Sequence, residues 1–438
     1  MAALSPAIRF FWSSFGSGVS MTTALTPRVL VTAEDAGALP RRLRVLRRRG
    51  QVRALLLVAP LLLFLLAIFV VPIGALLTRS VDNSAVGKAL PLTAPALAAW
   101  DGESVPDEAV FAAFAADLKA APRDTVAEVA KRLNYYEAGL RSLLLKTGRQ
   151  IGKAQAPFHE AFVAIDPAWG TPRYWRVLRE ALPRTTDFYL LAALDLRRDD
   201  RGDIRATAEE NAVHQEVLTR TFTVSLSVTL TCLLLGYPLA ALIARARGVT
   251  ANILLIMVLL PFWTSLLVRT SAWVVLLQSR GVINSALAWL GLVDPAQPLE
   301  LIYNRVGVLV AMTHILLPFM VLPIYSVMKG IPPVYLRAAA SLGASPAAAF
   351  RHVYLPMSLP GVSAGCLLVF ILALGYYITP ALVGGPHDQM VSYFIAYYAN
   401  QVTNWGMAAA LSAILLAAVL VLYAVYNRLV GIDRLRVG

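Results

Sequence analysis

Charged residues are scarce in this chain of 438 residues, at 15% of positions, where a soluble domain carries about 25%. With 58% hydrophobic residues and a mean hydropathy of +0.64, there is too little polar surface to enclose several water-soluble cores. An ordinary soluble enzyme is thereby excluded, and the chain calls for lipid. Cysteine is nearly absent. Cys232 and Cys366 both lie inside apolar runs, where a thiol behaves as a small hydrophobe, and two cysteines so placed form neither a disulfide framework nor a metal-binding spacing. His159 and His214 lack ligand neighbours at metal spacing and read as surface histidines. No metal or cofactor is expected.

Acid is missing where base is plentiful. The formal charge of +13 suggests nucleic acid until it is divided along the chain. Residues 80–216 hold 17 basic and 20 acidic residues, a balance of 17 − 20 = −3, and the remainder holds 22 − 6 = +16. The excess base sits beside hydrophobic runs, the pattern of membrane topology, so a nucleic-acid partner is not expected.

Six apolar stretches reach the roughly 20 residues that a helix needs to cross a bilayer. They run over 54–77, 221–244, 253–277, 306–327, 362–383 and 407–426. The first is longer than the core of a cleaved signal peptide and reads as a retained anchor, within a first membrane segment at 53–78. The segment before it, 1–52, reads as a basic cytoplasmic tail, with Met21 an alternative start. Arg41, Arg42, Arg44, Arg47, Arg48, Arg49 and Arg53 crowd the near side of that first span, which places it in the cytoplasm. Residues 79–216 then fall outside, and the loops with Arg245 and Arg247, and with Lys329, Arg337 and Arg351, fall inside. The chain ends inside with Arg428, Arg434 and Arg436. The expected fold is therefore all-α: a multi-pass membrane protein of six helices with both termini cytoplasmic. A core of five helices occupies 217–431, and a short tail occupies 432–438.

The outer segment 79–216 is long enough for a small domain. Alanine-rich amphipathic stretches at 106–121 and 125–150 predict helices, with Asp107 and Asp124 as N-terminal caps. Trp169-Gly-Thr-Pro and Asp199-Asp-Arg-Gly predict breaks. Gly148-Arg-Gln-Ile-Gly-Lys153 is one residue short of a phosphate loop and lacks its Ser or Thr. Gly361-Val-Ser-Ala-Gly365 matches a nucleophile-elbow string but opens a membrane helix, where small residues at this spacing serve close helix packing.

The most informative stretch is the inner loop at 328–361, which contains Ile331-Pro-Pro-Val-Tyr-Leu-Arg-Ala-Ala-Ala-Ser-Leu-Gly-Ala-Ser-Pro-Ala-Ala-Ala-Phe-Arg-His-Val-Tyr-Leu-Pro356. Pro333 suits a first helical turn and Ala338, Ala339 and Ala340 are strong helix formers. Gly343 suits a left-handed stop. Ser345 and Pro346 begin a second short helix, which Pro356 should end. The alanine face has little to bury against within its own loop, which implies a partner.

This pattern resembles the EAA loop of ABC importer permeases, in which Glu-Ala-Ala is followed by Gly and later by Ile-x-Leu-Pro. Ala338, Ala339, Gly343, Val353, Leu355 and Pro356 match it, and Arg337 stands at the Glu position. Leu235-Gly-Tyr-Pro-Leu-Ala, Pro261-Phe-Trp-Thr-Ser-Leu-Leu-Val-Arg-Thr and Leu317-Pro-Phe-Met-Val-Leu-Pro are similar to permeases of the spermidine/putrescine type. The resemblance covers about half the chain and implies the type I ABC importer permease fold, with the 79–216 segment as an added periplasmic insert. It implies a bacterial inner-membrane permease, not itself an enzyme, working with a second homologous permease subunit, two copies of a cytoplasmic ATPase and a periplasmic solute-binding protein. The cargo it implies is a polyamine. Related importers move opines, amino-acid-like compounds or ferric iron.

Arg269 is the only Lys or Arg deep in a predicted span, and an intramembrane charge is a functional candidate. It lies about eight residues, or roughly 12 Å, from the outer end of its span, within reach of snorkelling. A structural role therefore stands beside a role in the translocation path. Trp263, Thr264, Tyr376 and Tyr377 are the other candidates for that path. Trp263, Trp273, Tyr376, Tyr377, Tyr397 and Tyr398 also suit interfacial anchoring. Spans two to six contain no Asp or Glu, which describes a low-affinity passage better than a selective cation site. A secondary transporter is the alternative, and it would show intramembrane carboxylates or broken helices. Neither is expected here. A membrane-anchored sensor is a further alternative, disfavoured by five additional spans.

Overall fold

The computed structural model describes residues 54–199, 202–208 and 212–430. The basic tail, and Arg434 and Arg436 at the other end, on which part of the orientation argument rests, lie outside the described residues. The chain divides into two units, residues 1–71 and 72–438. Among the described residues six helices are long and apolar enough to cross a membrane, and the only strands form one short hairpin.

Helix α1, Ala54–Thr78, is the first candidate span. The insert that follows is helical: α2 (Ser84–Ala89), α3 (Thr93–Ala98), α4 (Glu108–Ala120), α5 (Arg123–Tyr136), α6 (Leu140–Gln150), α7 (Phe158–Ile165), α8 (Pro172–Ala181) and α9 (Phe188–Ala192). Strands β1 (Leu196–Arg198) and β2 (Ile204–Ala206) pair antiparallel and close it. The break expected at Asp199 is thus a hairpin connection.

The insert has its own core. Phe111, Phe114, Phe162, Trp169 and Trp175 are fully buried together, in edge-to-face and offset contacts such as Phe111–Trp175 at 4.6 Å. Both indole N–H groups are satisfied, Trp169 donating to Thr147 Oγ1 at 2.9 Å and Trp175 to the Trp169 carbonyl at 3.0 Å, as burial requires. Asp107 caps α4 as predicted, accepting from Val110 N–H. Asp124 does not cap α5. Pro122, with ψ 146°, already turns the chain, so Asp124 falls inside the first turn. The single helix expected over 125–150 is two, because Gly139 takes φ +95° and begins a new one, a conformation open cheaply only to glycine. Entry and exit of the insert are joined by Asn83 N–H to Arg184 O at 2.8 Å and Thr186 N–H to Val81 O at 2.9 Å. A domain closed at its base in this way can be accommodated between two membrane helices.

The membrane core follows: α10 (His214–Arg245), α11 (Gly248–Leu259), α12 (Leu266–Leu277), α13 (Val282–Trp289), α14 (Arg305–Gly330), α15 (Pro333–Ser341), α16 (Pro346–Gly375), α17 (Ile378–Val383), α18 (Val391–Asn400) and α19 (Trp405–Val430). Helices α10, α14 and α16 pack around Val228, Cys232, Met312, Leu316, Met320, Val321 and Val369. The Cys232 thiol donates to the Thr313 carbonyl at 3.6 Å within this core. Gly361 and Gly365 serve the close packing their spacing predicts. A Cβ at Gly361 would sit 2.9 Å from the Pro323 carbonyl, and one at Gly365 2.9 Å from Met320 Sδ.

Two expected spans are broken. The stretch read as 253–277 is α11 and α12, separated by a 3₁₀ turn at Leu260–Trp263, after which Ser265 caps α12 by accepting from Val268 N–H. Pro261 cannot continue the α-helical ladder. The third candidate span is Leu266–Trp289, made of α12 and α13. The stretch read as 362–383 stops at Gly375, and α17 restarts at Ile378. Ser392 Oγ donates to the Tyr376 carbonyl at 2.9 Å, satisfying a carbonyl left free at the break, and lies 3.2 Å from the Leu374 carbonyl. Broken helices, expected to be absent, are therefore part of this fold.

Candidate coupling loop and translocation path

The loop around Gly343 is built as its residues dictate up to one point. Pro333 opens α15, and Gly343 follows it with φ +84°. Ala344 N–H bonds the Ala339 carbonyl and Gly343 N–H bonds the Ala340 carbonyl, both at 3.0 Å, the paired bonds of a Schellman stop. Ser345 then caps the next helix, accepting from Ala348 N–H, with Pro346 in the first turn.

Pro356 does not end that helix. The bonding widens to a π turn at Phe350–Tyr354, Leu355 N–H reaching back to the Phe350 carbonyl. This relieves the clash and the missing donor that proline imposes, and α16 passes through Pro356 to become the fifth span. The second short helix is thus the root of a membrane helix.

Along the loop, α15 buries none of its residues. Leu342 is 88% exposed, Val334 52% and Tyr335 48%. Arg337, Ala338 and Pro356 are exposed, Ala339, Val353 and Leu355 half-buried. Arg337 makes no ion pair among the described residues.

Arg269 is half-buried on α12, and its Nε is buried without a hydrogen-bond partner. It lies close enough to His314 on α14 and to Tyr376 at the break after α16 for its charge to act on both. One turn on, Trp273 Nε1 donates to His314 Nδ1 at 3.2 Å. An indole only donates, so this bond places the imidazole proton on Nε2. Thr270 and Thr379, both buried, join α12 to α17 through their hydroxyls at 3.2 Å.

Of the predicted path residues, the structure thus brings Arg269 and Tyr376 together. Trp263 and Thr264 sit elsewhere, at the α11–α12 break. Trp263 is 89% exposed, and the Thr264 hydroxyl is spent on the Pro261 carbonyl at 3.0 Å. Tyr377 is exposed. His314 was not among the sequence candidates, although a lone imidazole inside an apolar span was a signal available to find it.

Two further corrections concern polar groups at the head of α10. His214 is not a surface histidine. It bridges Asp195 Oδ1 at 2.8 Å and Tyr398 Oη at 3.1 Å, while Asp195 accepts from the His214 and Gln215 backbone N–H groups and so caps α10. Arg220 is a second buried base, paired with Glu216 and donating to the Gln389 carbonyl at 3.3 Å. It lies just before the span boundary drawn from the sequence.

Residues 236–433 match the family described as binding-protein-dependent transport system inner membrane component. The chain is 32% identical over 261 residues to the spermidine/putrescine transport system permease protein PotB of Escherichia coli (strain K12), covering 58% of this chain and 93% of that protein. It is 34% identical over 243 residues to the inner membrane ABC transporter permease protein YdcU of the same organism, covering 51% and 75%. A solved bacterial ABC transporter involved in import of the acidic polysaccharide alginate aligns with TM-score 0.42 at 18% identity, over 51% of this chain and 79% of that chain. The chain belongs to the family of inner-membrane components of binding-protein-dependent transport systems, and it is the permease subunit of an ABC importer rather than an enzyme.

Proposed function

We propose that this permease carries a polyamine of the spermidine or putrescine kind, with residues 79–216 in the periplasm and both termini and the 328–361 loop in the cytoplasm. A periplasmic solute-binding protein delivers the cargo, a second homologous permease subunit completes the path, and two copies of a cytoplasmic ATPase drive it. The observation that carries the coupling is the loop at α15. Three apolar side chains, Val334, Tyr335 and Leu342, are held out beside a rigid glycine stop, on a helix that buries nothing of its own. Exposed apolar side chains grouped in this way suit a protein partner. Because α16 continues unbroken from this loop into the fifth span, a push on Ser345–Ala349 moves a membrane helix directly. Arg337 is exposed and makes no ion pair among the described residues, so the ATPase groove that receives it is acidic at that point rather than basic.

The cargo reading is supported by the chain's similarity to spermidine/putrescine transport system permease proteins. The broken helices near Arg269 and Tyr376 supply the irregular backbone that a membrane protein tolerates where a cavity is lined. No carboxylate stands in the five later candidate spans apart from Glu216, which is paired to Arg220, so the path holds a cation weakly and selection falls to the binding protein. The test is uptake of labelled spermidine by cells carrying the complete transporter, with Leu342→Asp beside the natural chain. Loss of both uptake and ATPase co-purification is expected. Full ATPase recovery with Leu342→Asp would refute docking at this loop, and a cognate binding protein that ignores polyamines would refute the cargo.

A further inference from the structure

We propose that a cavity at the membrane boundary of the insert binds a zwitterionic phospholipid headgroup, its phosphate against Arg79 and Lys131 and its ammonium against Glu128. The cavity measures about 360 Å³, within the range of roughly 300–1,000 Å³ usual for small-molecule sites. Four separate parts of the chain line it. Arg79 and Asp82 come from the start of the insert, Glu128, Lys131 and Arg132 from α5, Tyr189 from α9, and Trp405 from the first turn of α19.

The walls are constructed rather than incidental. The Tyr189 ring lies between the Arg132 guanidinium, 6.0 Å from its centroid, and Gly406, where any Cβ would come within 2.5 Å of the ring. Arg132 also donates to the Asp82 carbonyl, and Lys131 to the Thr403 hydroxyl. Thr403 itself holds φ +54°, a conformation uncommon for a side chain other than glycine, and one that tends to mark functional turns. Burial pushes the Tyr189 phenol up, so it presents a neutral wall.

Two charges in this cavity are unspent. Among the described residues Arg79 makes no ion pair and only lies over the Trp405 ring at 5.5 Å, and Glu128 has no partner. The residues thus offer a phosphate a cationic side and an amine an anionic one. Tyr189 and Trp405 already face guanidinium groups, and against the remaining aromatic wall, Tyr135, the full charge of Glu128 is the stronger partner for an ammonium. With three cations against two carboxylates, a bare polycation would meet repulsion, which separates this site from the cargo path. The lipid origin follows from position. Arg79 directly follows the membrane-length helix α1 and Trp405 opens α19. Arginine and tryptophan at helix ends mark the depth at which headgroups lie. Arginine and lysine are the usual partners of phosphate there, as bidentate fork and point charge.

Native mass spectrometry of the purified full chain with its transport partners, after exchange into mixtures of phosphatidylethanolamine and phosphatidylglycerol, tests this. The natural chain should retain phosphatidylethanolamine in preference. Arg79→Gln should weaken retention of both lipids by about tenfold, the loss of one hydrogen bond to a charged group. Glu128→Gln should keep binding but abolish the preference. Both side chains are exposed, so neither substitution threatens folding. Equal retention of the two lipids by the natural chain, or retention unchanged by Arg79→Gln, would overturn the proposal. Soluble phosphoethanolamine and inorganic phosphate form two further arms. Thermal protection by either that equals protection by the lipid would assign the cavity to a soluble phosphate and overturn the lipid assignment.

Discussion

Replacing Gly343 with valine tests the coupling role proposed for the 328–361 loop, because the change acts on the backbone of its turn. A Cβ built there meets no atom within 4 Å, and the cost comes from forcing a β-branched residue to φ +84°. A strained backbone of this kind costs about 1–3 kcal/mol. The chain can meet that cost by holding the turn, or escape it by breaking the bonds from Gly343 and Ala344 to Ala340 and Ala339, which swings Ser345 and the root of α16 out of line. If the strain is released in the free loop and must be restored on docking, ATPase affinity falls about 5- to 150-fold. Membrane insertion is unaffected, since Gly343 lies outside every candidate span and bonds only within its own loop. The assay is co-purification of the ATPase with Gly343→Val, Gly343→Asn and Gly343→Ala, alongside uptake. Asn, which tolerates the left-handed region, should fall between Gly and Val. Val with natural ATPase recovery and natural uptake would refute the reasoning.

Three further outcomes are expected. In a cysteine-free background, an impermeant thiol reagent applied to intact cells should label Ser142→Cys in the insert but not Ala340→Cys in the loop; labelling of both would sink the six-span topology. Ser142 is exposed, whereas Ala130 on α5 is fully buried and would report nothing. Arg269→Ala should lower uptake with the complex still assembled if the charge belongs to the path, whereas a near-neutral Arg269→Lys would mark a snorkelling role and loss of assembly in both a structural one. Gly361→Leu should destabilise the α14–α16 contact by about 1–3 kcal/mol or more through overpacking, read as a lower thermal midpoint of the purified complex, and an unchanged midpoint would contradict the close approach to Pro323.

What was legible in the sequence was whatever depends on a residue and its near neighbours. Span number follows from apolar length, the stop at Gly343 from the rarity of positive φ outside glycine, the cap at Asp107 from a carboxylate before a helical run, and the packing of Gly361 and Gly365 from their spacing. The family-like motifs belong to the same local class, and the relatives now carry them to a shared membership. What failed was also local in origin. Pro356 and Pro261 are the same residue type in similar apolar surroundings, yet a π turn lets the chain helix through one and a 3₁₀ turn breaks it at the other. At the first, Leu355 N–H reaches back five residues to the Phe350 carbonyl, and at the second, Thr264 folds back onto the Pro261 carbonyl.

The charged and polar groups show the division most sharply. Sequence alone established that base crowds the membrane flanks, that the later spans nearly lack acid, and that Arg269 sits where a charge is costly. It gave no means of knowing that Arg269 shares its surroundings with His314 and Tyr376, which lie 45 and 107 positions away (314 − 269 and 376 − 269), or that Asp195, His214 and Tyr398 form one bridge. Nor could it show Arg79, Glu128 and Trp405 around a common cavity. Periodicity and capping are written within a turn or two of helix, so a single chain segment carries them. A site is assembled from segments whose meeting depends on how the whole set of helices buries its apolar faces, and only the tertiary structure decides that.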